Sequence, residues 1–280
     1  MLPNFLICGA SKSGSEWLQR CLAEHPEVFI SFQAANFFDL FYDKGQEWYE
    51  SCFSEWSGEK AIGEKSTTYI ISPKVPERIR KCIPSAKLLF VLREPVERAY
   101  SHYKMQLRAS AVSDRIEQVL MPGQGLVEEG RYFLQISRFL EYFRSSQIKV
   151  LFYDDLQNDK KLFLQEIFSF LQISTDFEPS LASRKFHVTK NRPRWPYLYN
   201  SLVKLTQKLS QSSRIGFFSI EFIRRKGWVN SFHAINRGPS FPQMTMNQKQ
   251  MLSQYYRDDT LALSEWLGRD LSGWLDRYHK

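Results

Sequence analysis

Short apolar runs alternate along residues 5–171 with longer segments whose apolar positions recur at helical spacing. Such runs are typical of buried strands, whereas recurrence every three to four residues is typical of amphipathic helices. Strands are predicted near residues 5–9, 28–30, 61–63, 87–92 and 148–152, and helices near 15–24, 73–82, 95–108, 131–145 and 159–171. This alternation predicts an α/β fold of three layers, with a central parallel sheet flanked by helices.

The pattern changes after Pro193 and Pro196, where a helical and basic portion begins. A length of 280 residues suits one α/β domain with a single large core. We therefore predict one domain over residues 1–280. Its α/β core, residues 1–195, would carry the functional site, and residues 196–280 would form a helical C-terminal portion.

The first candidate for chemistry is the turn between the first strand and the first helix, residues 9–15 (GASKSGS). Gly9 and Gly14 permit tight backbone geometry, and the free amides and positive dipole end of the following helix suit a bound phosphate. Lys12 adds a cation to this turn. The segment therefore predicts a phosphate-binding loop, although a Gly-rich turn of this kind also occurs with a purely structural role.

Two further details of this turn restrict its interpretation. Ser13 and Glu16 have the spacing of a capping box, in which the Glu16 side chain would bond back to the Ser13 amide. In the nucleotide-binding P-loop the lysine follows the second glycine, whereas Lys12 precedes Gly14. This order argues against a metal-dependent nucleotide hydrolase.

A second phosphate-binding segment follows the fourth predicted strand, at residues 92–101 (LREPVERAYS). Arg93 lies at the carboxyl end of that strand, which is the edge where open α/β sheets bind ligands. Its guanidinium matches phosphate oxygens, and the Ser101 hydroxyl, two helical turns on, is in reach of the same anion. The alternative is that Arg93 pairs with Glu94 or Glu97 and that Ser101 is simply solvated.

Together the two segments resemble the donor-binding motifs of sulfotransferases that use 3′-phosphoadenosine 5′-phosphosulfate (PAPS). Residues 9–15 resemble that family's 5′-phosphosulfate loop, and residues 92–103 resemble its 3′-phosphate segment. Between them, residues 63–69 (GEKSTTY) resemble a Glu-Lys-Ser/Thr stretch of the carbohydrate branch, in which the glutamate is the general base. The resemblance covers roughly residues 3–195. It implies a P-loop-like domain, PAPS as co-substrate, 3′,5′-ADP as product and no metal.

The resemblance also assigns roles to residues. Glu64 would take the proton of the acceptor, Lys12 would stabilise the leaving group, and Lys65 would align donor or acceptor, so these three form the predicted catalytic set. The predicted donor-binding residues are Lys12, Ser13, Gly14, Ser15, Glu16, Trp17, Arg93, Ser101, Lys190, Asn191 and Arg192. The last three lie in residues 186–193, which are similar to the loop that closes over the nucleotide in this family.

Two departures from the family pattern bear on the acceptor. Glu16 stands where threonine or serine is usual, and residues 33–38 (QAANFF) lack the lysine often found before such a stretch. Fewer cations favour a neutral or cationic small acceptor, with a hydroxyl or amine to be sulfated, over a polyanionic glycan. The expected role is bacterial small-molecule tailoring in secondary metabolism. O- or N-sulfation of a carbohydrate remains an alternative.

The net charge of +8 is concentrated late in the chain, because Glu221 is the only acid between Glu178 and Asp258. We assign this excess to the anionic donor and rank a membrane surface below it. No nucleic-acid-binding motif accompanies the charge, so no nucleic-acid partner is predicted. With neither a leader nor a bilayer-spanning run, a cytoplasmic enzyme is expected. Reduced thiols without metal spacing are predicted for Cys8, Cys21, Cys52 and Cys82.

Two rival functions remain open from the sequence. A small-molecule kinase using residues 9–15 for ATP would depend on magnesium and bind ATP more tightly than 3′,5′-ADP. A non-catalytic protein that binds nucleotides or a membrane surface would be insensitive to Glu64→Ala beyond a change in stability. The sequence predicts no particular oligomeric state.

Overall fold

The structure is a computed structural model that describes residues 1–182, 191–212 and 235–279, with the backbone alone for 207–212. Five parallel strands form its main sheet, in the order β2-β3-β1-β4-β5. They are β1 (Phe5–Gly9), β2 (Val28–Ser31), β3 (Ala61–Lys65), β4 (Lys87–Leu92) and β5 (Ile148–Phe152). Each lies within two residues of a predicted strand, so the predicted α/β class with a central parallel sheet is confirmed.

Helices cover both faces of this sheet. In chain order they are α1 (Ser15–Glu24), α2 (Phe37–Leu40), α3 (Gly45–Ser51), α4 (Val75–Cys82), α5 (Pro95–Arg108), α6 (Ile116–Val119), α7 (Gly125–Glu128), α8 (Tyr132–Leu140), α9 (Tyr153–Asn158), α10 (Lys160–Leu171), α11 (Pro196–Ser212), α12 (Met246–Leu267) and α13 (Ser272–Leu275). Alternate β1 side chains enter opposite layers, because strand side chains alternate between faces. Leu6 and Cys8 pack with α4 and α8, whereas Phe5 and Ile7 pack with α1 and α10.

The predicted helical C-terminal portion is present in the described residues as α11, α12 and α13, together with a short antiparallel pair, β6 (Asn191–Pro193) and β7 (Arg237–Ser240). α12 begins with a capping box between Thr245 and Gln248 and ends at left-handed Gly268. The Asp259 carboxylate of α12 accepts the first amides of α8, which ties this portion to the core. Among the residues described, no helix is both long and apolar enough to cross a bilayer.

The start of α5 is fixed from several directions, and this matters because Arg93 precedes it. Pro95 is the first helical residue, as its missing amide allows. The Glu94 carboxylate accepts hydrogen bonds from two amides of the first turn and another from the Tyr278 hydroxyl near the C-terminus. One turn on, the fully buried Arg98 pairs with Glu129. The second phosphate-binding segment is therefore held rigidly at the sheet edge.

Candidate active site

Three adjacent strands deliver three loops to the same edge of the sheet. β1 is central, with β3 on one side and β4 on the other, and all three run parallel. Their carboxyl ends therefore lie side by side, about 5 Å apart from strand to strand. Lys65 ends β3, residues 10–14 follow β1, and Arg93 follows β4. The structure thus brings together the two phosphate-binding segments that the sequence separates by some eighty residues.

The turn after β1 leaves the first amides of α1 open. Gly14 occupies the N-cap position with φ 96°, and in the described residues no side chain caps this helix. A β-carbon at Gly14 would lie 2.9 Å from Leu156 Cδ2 and 3.3 Å from the Tyr153 ring, so the turn requires glycine. The buried Ser13 hydroxyl has no hydrogen-bond partner among the described residues. Open amides beside a buried, unsatisfied hydroxyl are suited to an anion.

The prediction that Ser13 and Glu16 form a capping box is wrong. Glu16 Oε1 instead accepts from Arg20 at 2.6 Å, and its Oε2 accepts from Lys65 at 2.9 Å. The Lys65 charge, with help from Arg20, lowers the Glu16 pKa to about 2. The left-handed N-cap glycine turns Glu16 toward the end of β3, where two cations attract its carboxylate more strongly than one amide does. Glu16 therefore links α1 to β3, and its charge is balanced within the protein.

Lys12 lies at the centre of a group of positive side chains. Its Nζ is 3.6 Å from the Met105 sulfur on α5. Burial lowers the Lys12 pKa, and the charges of Arg108, Arg93 and Lys65 lower it further, while Glu16 opposes them. We call Lys12, Lys65, Arg93 and Arg108 the cation cluster. Like charges gathered at one sheet edge repel each other, so the cluster is suited to a ligand with several negative charges.

Arg93 is positioned through both its backbone and its side chain. The Tyr132 hydroxyl donates to the Arg93 carbonyl at 2.8 Å. The guanidinium carbon lies 4.9 Å from the centre of the Tyr153 ring, and Nη2 lies 3.6 Å from a Glu97 carboxylate oxygen. Of the two predicted ion-pair partners, Glu97 is the one that Arg93 meets, since Glu94 caps α5 instead. The long separation from Glu97 leaves the guanidinium able to take a phosphate.

One face of α5 carries two cations, Lys104 and Arg108, that were not among the predicted site residues. Lys104 and Arg108 follow Ser101 by 3 and 7 residues, a spacing that places the three side chains along one face of α5. Arg108 hydrogen-bonds the Tyr199 hydroxyl of α11, and its guanidinium carbon lies 4.8 Å from that ring. The same spacing that pointed to Ser101 would have identified Lys104 and Arg108.

Glu64 is separated from the cation cluster. Side chains alternate along β3, so Glu64 and Lys65 point to opposite faces of the sheet. The carboxyl is fully buried, and its Oε1 accepts from the Tyr69 hydroxyl at 2.6 Å. Burial raises the Glu64 pKa well above its usual range, against the opposing effects of Tyr69 and Tyr49. The Glu64 carboxyl is thus shielded from solvent beside Tyr69, and its role as the base remains a prediction.

The buried carboxyl predicts a specific pH dependence of stability. In the unfolded chain Glu64 ionises near 4.5, whereas in the folded chain it keeps its proton to higher pH. The folded state binds more protons in that window, so this group lowers stability as pH rises. Relative to wild type, Glu64→Gln should gain up to about 1.4 kcal/mol of unfolding free energy per pH unit above pH 4.5. Urea unfolding of both proteins over a pH series measures this, and parallel curves would contradict it.

Asp39 is a second carboxylate near this region, and unlike Glu64 it is partly exposed. It accepts from the Thr68 hydroxyl at 2.5 Å, and the same hydroxyl oxygen lies 3.2 Å from the Asn36 side-chain oxygen. The Asp39 charge contributes to the raised pKa of Glu64. Because Thr68 closely follows the end of β3, this polar group lies on the acceptor side that the family resemblance predicts.

Three of the remaining predicted donor residues, Trp17, Asn191 and Arg192, have partners within the protein. The Trp17 indole donates to the Leu181 carbonyl at 3.4 Å, while Ser15 is buried at the start of α1. The Asn191 side-chain amide donates to the β7 backbone at 3.0 Å, and Arg192 lies 3.6 Å from Asp114. Lys190 falls outside the described residues. Contacts of these residues with the donor therefore stay predictions.

No set of three or more His, Cys, Asp or Glu side chains that would hold a metal is found in the described parts of the chain. The four cysteines are free thiols, and burial raises the pKa of Cys8 and Cys52, which makes them less reactive. The groups that the described part of the site offers for chemistry are its cations, its open amides and its carboxylates.

A parallel sheet that gathers cations and open helix amides at one edge suits a group-transfer enzyme. The family model for the sulfotransferase domain matches residues 2–237, and the chain belongs to that family. A sulfotransferase structure from Alicyclobacillus acidocaldarius superposes with a TM-score of 0.70, covering 98% of this chain and 99% of that one at 23% identity. The predictions that the chain belongs to the sulfotransferase family and that it is an enzyme are thus confirmed.

Curated relatives match this chain as one part of much longer proteins. The mouse bifunctional heparan sulfate N-deacetylase/N-sulfotransferase 4 is 26% identical over 300 aligned positions, which cover 98% of this chain but 31% of the relative. The human bifunctional heparan sulfate N-deacetylase/N-sulfotransferase 3 gives 26% over 302 positions, with the same coverage. A membrane-associated sulfotransferase, kil1 of Dictyostelium discoideum, is 35% identical over 111 residues, or 38% of this chain. The chain spans about a third of the length of the first two.

Proposed function

We propose that this sulfotransferase uses PAPS as its donor and transfers the sulfuryl group to a hydroxyl or amine of an acceptor. The cation cluster beside the open N-terminus of α1 is the observation that supports this proposal. Two separate anion-binding loops, after β1 and β4, suit a nucleotide that carries one charged group at its 5′ end and another at its 3′ position. The buried, unsatisfied Ser13 hydroxyl fits the same donor.

In this proposal PAPS supplies an activated sulfuryl group and leaves as 3′,5′-ADP. The amides of α1 and the Ser13 hydroxyl bind the 5′ end. Arg93 binds the 3′-phosphate, with Ser101 in reach of the same group. Lys12 stabilises the negative charge that develops at the leaving oxygen, and its lowered pKa makes it a readier proton donor. Glu16 holds Lys65 beside Lys12 and so keeps the positive charge concentrated at the point of transfer.

Glu64 and Asp39 are the two carboxylates that compete for the role of proton acceptor. Glu16 is ruled out by its pKa of about 2, which makes it a weak base. Glu64 has a raised pKa but is fully buried, whereas Asp39 is partly exposed and oriented by Thr68. Because a base must first reach the proton, we infer that Asp39 takes it.

Paired substitutions separate these two carboxylates. Asp39→Asn is expected to lower kcat by about 100-fold or more and to leave the binding of 3′,5′-ADP unchanged, because the acid–base contribution alone is lost. Glu64→Gln should reduce kcat far less. Transfer of labelled sulfate from PAPS to an acceptor panel measures both variants. If Glu64→Gln abolishes transfer while Asp39→Asn does not, the role predicted from the family resemblance is the correct one.

A small-molecule acceptor remains the proposal for the substrate, with a carbohydrate as the alternative that the heparan sulfate relatives suggest. The charge of Glu16 is satisfied by Arg20 and Lys65, so it does not by itself select a cationic acceptor. The acceptor panel should therefore contain amines, neutral alcohols and anionic oligosaccharides. The acceptor with the highest kcat/KM defines the class.

Titration calorimetry with 3′,5′-ADP and with ATP, both in EDTA, tests the proposed donor. Tight, metal-independent binding of 3′,5′-ADP and weak binding of ATP are expected, because the site has two anion-binding loops and no metal group in its described residues. Preference for ATP, or no binding of 3′,5′-ADP, would overturn the proposal and restore the kinase alternative.

A further inference from the structure

α11 has two faces with different surroundings. Its inner face is partly buried and rests on the end of α5, where Tyr199 bonds Arg108 and the Asn200 side chain donates to the Ala109 carbonyl at 3.2 Å. Val203 continues the same face one turn on. The inner face therefore adjoins the cation cluster through Arg108.

The outer face of α11 carries a stripe of exposed leucines. Leu198, Leu202 and Leu205 are 49%, 38% and 55% exposed, and their spacing of four and then three residues aligns them along one side of the helix. Tyr197, at 89% exposed, and Trp195 lie at the beginning of the helix beside this stripe. An amphipathic helix normally turns such a stripe toward a core, so the exposed stripe marks an interaction surface.

The charge around this face selects its partner. The exposed polar side chains Arg194 and Lys204 are both positive, and residues 179–257 contain a single acid, Glu221. A second copy of the chain would place these positive charges against one another, which is unfavourable. An apolar stripe with aromatic residues at one end and basic residues alongside matches an anionic lipid interface.

We propose that the outer face of α11 docks on an anionic membrane surface, with the helix lying in the plane of the headgroups. This replaces the prediction that ranked membrane contact below other partners. The arrangement needs no membrane-spanning helix. Docking through the leucine stripe would leave the Arg108–Tyr199 contact on a different face of α11. The inference does not depend on which donor the enzyme uses.

Co-sedimentation with vesicles tests this proposal. Wild-type protein should pellet with vesicles that contain phosphatidylglycerol and much less with phosphatidylcholine alone. Leu202→Asn combined with Leu205→Asn should weaken partitioning by about tenfold or more, because two leucines that would be buried in the lipid on docking are lost. A matched control combines Leu162→Asn and Leu261→Asn, two exposed leucines of other helices, and should leave partitioning unchanged.

Charge is tested by combining Arg194→Gln with Lys204→Gln, which should remove most of the preference for phosphatidylglycerol. All four residues changed on α11 and before it are exposed, so thermal unfolding should remain at the wild-type temperature. Failure of the wild type to pellet, or equal pelleting of the double-leucine variant, would overturn the proposal. The proposal would also be overturned if the wild type sediments as a dimer and the double-leucine variant as a monomer, since this face would then join two copies.

Discussion

Replacing Arg93 with alanine is expected to weaken binding of 3′,5′-ADP by roughly 10- to 200-fold. Arg93 follows the end of β4 and is partly buried; Tyr132 bonds its backbone carbonyl, while the guanidinium lies over the Tyr153 ring with a long ion pair to Glu97. Loss of charge-assisted hydrogen bonds to a phosphate costs about 1.5–3 kcal/mol, which corresponds to that change in Kd. Titration calorimetry in EDTA measures the effect.

The matched control for this prediction is a ligand rather than a variant. 5′-AMP lacks the 3′-phosphate, so its affinity should be nearly the same for wild type and Arg93→Ala. The affinity of Arg93→Lys for 3′,5′-ADP should lie between those of wild type and Arg93→Ala, because lysine keeps the charge but loses the planar fork. Equal weakening of both nucleotides would show that Arg93 supports the site as a whole and does not bind the 3′-phosphate.

Gly14→Ala is expected to destabilise the protein by about 2–5 kcal/mol and to abolish donor binding. The substitution forces a β-carbon into a left-handed position and brings it to 2.9 Å from Leu156 Cδ2, so backbone strain and overpacking add. The loop between β1 and α1 must shift, and the open amides of α1 shift with it. Urea unfolding and calorimetry with 3′,5′-ADP report the two losses separately.

Gly268→Ala separates the backbone contribution from the steric one. Gly268 is also left-handed, with φ 61°, but a β-carbon there meets nothing within 4 Å. Its replacement should cost only about 1–2 kcal/mol and leave nucleotide binding intact. If Gly14→Ala proves no worse than Gly268→Ala, the packing of Leu156 against the loop is not what requires glycine at position 14.

Most of the fold could be predicted from the sequence because its elements are locally encoded. Helices α1 and α5 begin and end where periodicity placed them, and all five strands of the main sheet were anticipated. Short helices such as α2 and α9 were not, because four to six residues contain too little periodicity to be distinguished from a turn.

The candidate site was only partly predictable. Lys12 and Arg93 lie in local motifs, and strand order alone brings them together. Arg108 belongs to the same helical face as Ser101 but was missed, and its contact with Tyr199 spans 91 residues, which no local pattern encodes. For Glu64, strand alternation turns its side chain away from that of Lys65, and the carboxyl is fully buried beside the Tyr69 hydroxyl. Sequence motifs give the residues near a site, whereas tertiary packing decides which of them are accessible.

The central position of β1 between β3 and β4 also has a consequence for how the site is assembled during folding. Lys65, Lys12 and Arg93 belong to three separate strand–loop units, and Phe5 of β1 pairs with Gly63 and Lys87, which lie 58 and 82 residues further along the chain. Such long-range parallel pairing forms slowly and late, because loop closure must precede it. In a partly folded chain with one of these strands still unpaired, the cation that follows or ends that strand is not yet positioned at the site. We therefore expect anion binding to be a cooperative property of the completed sheet.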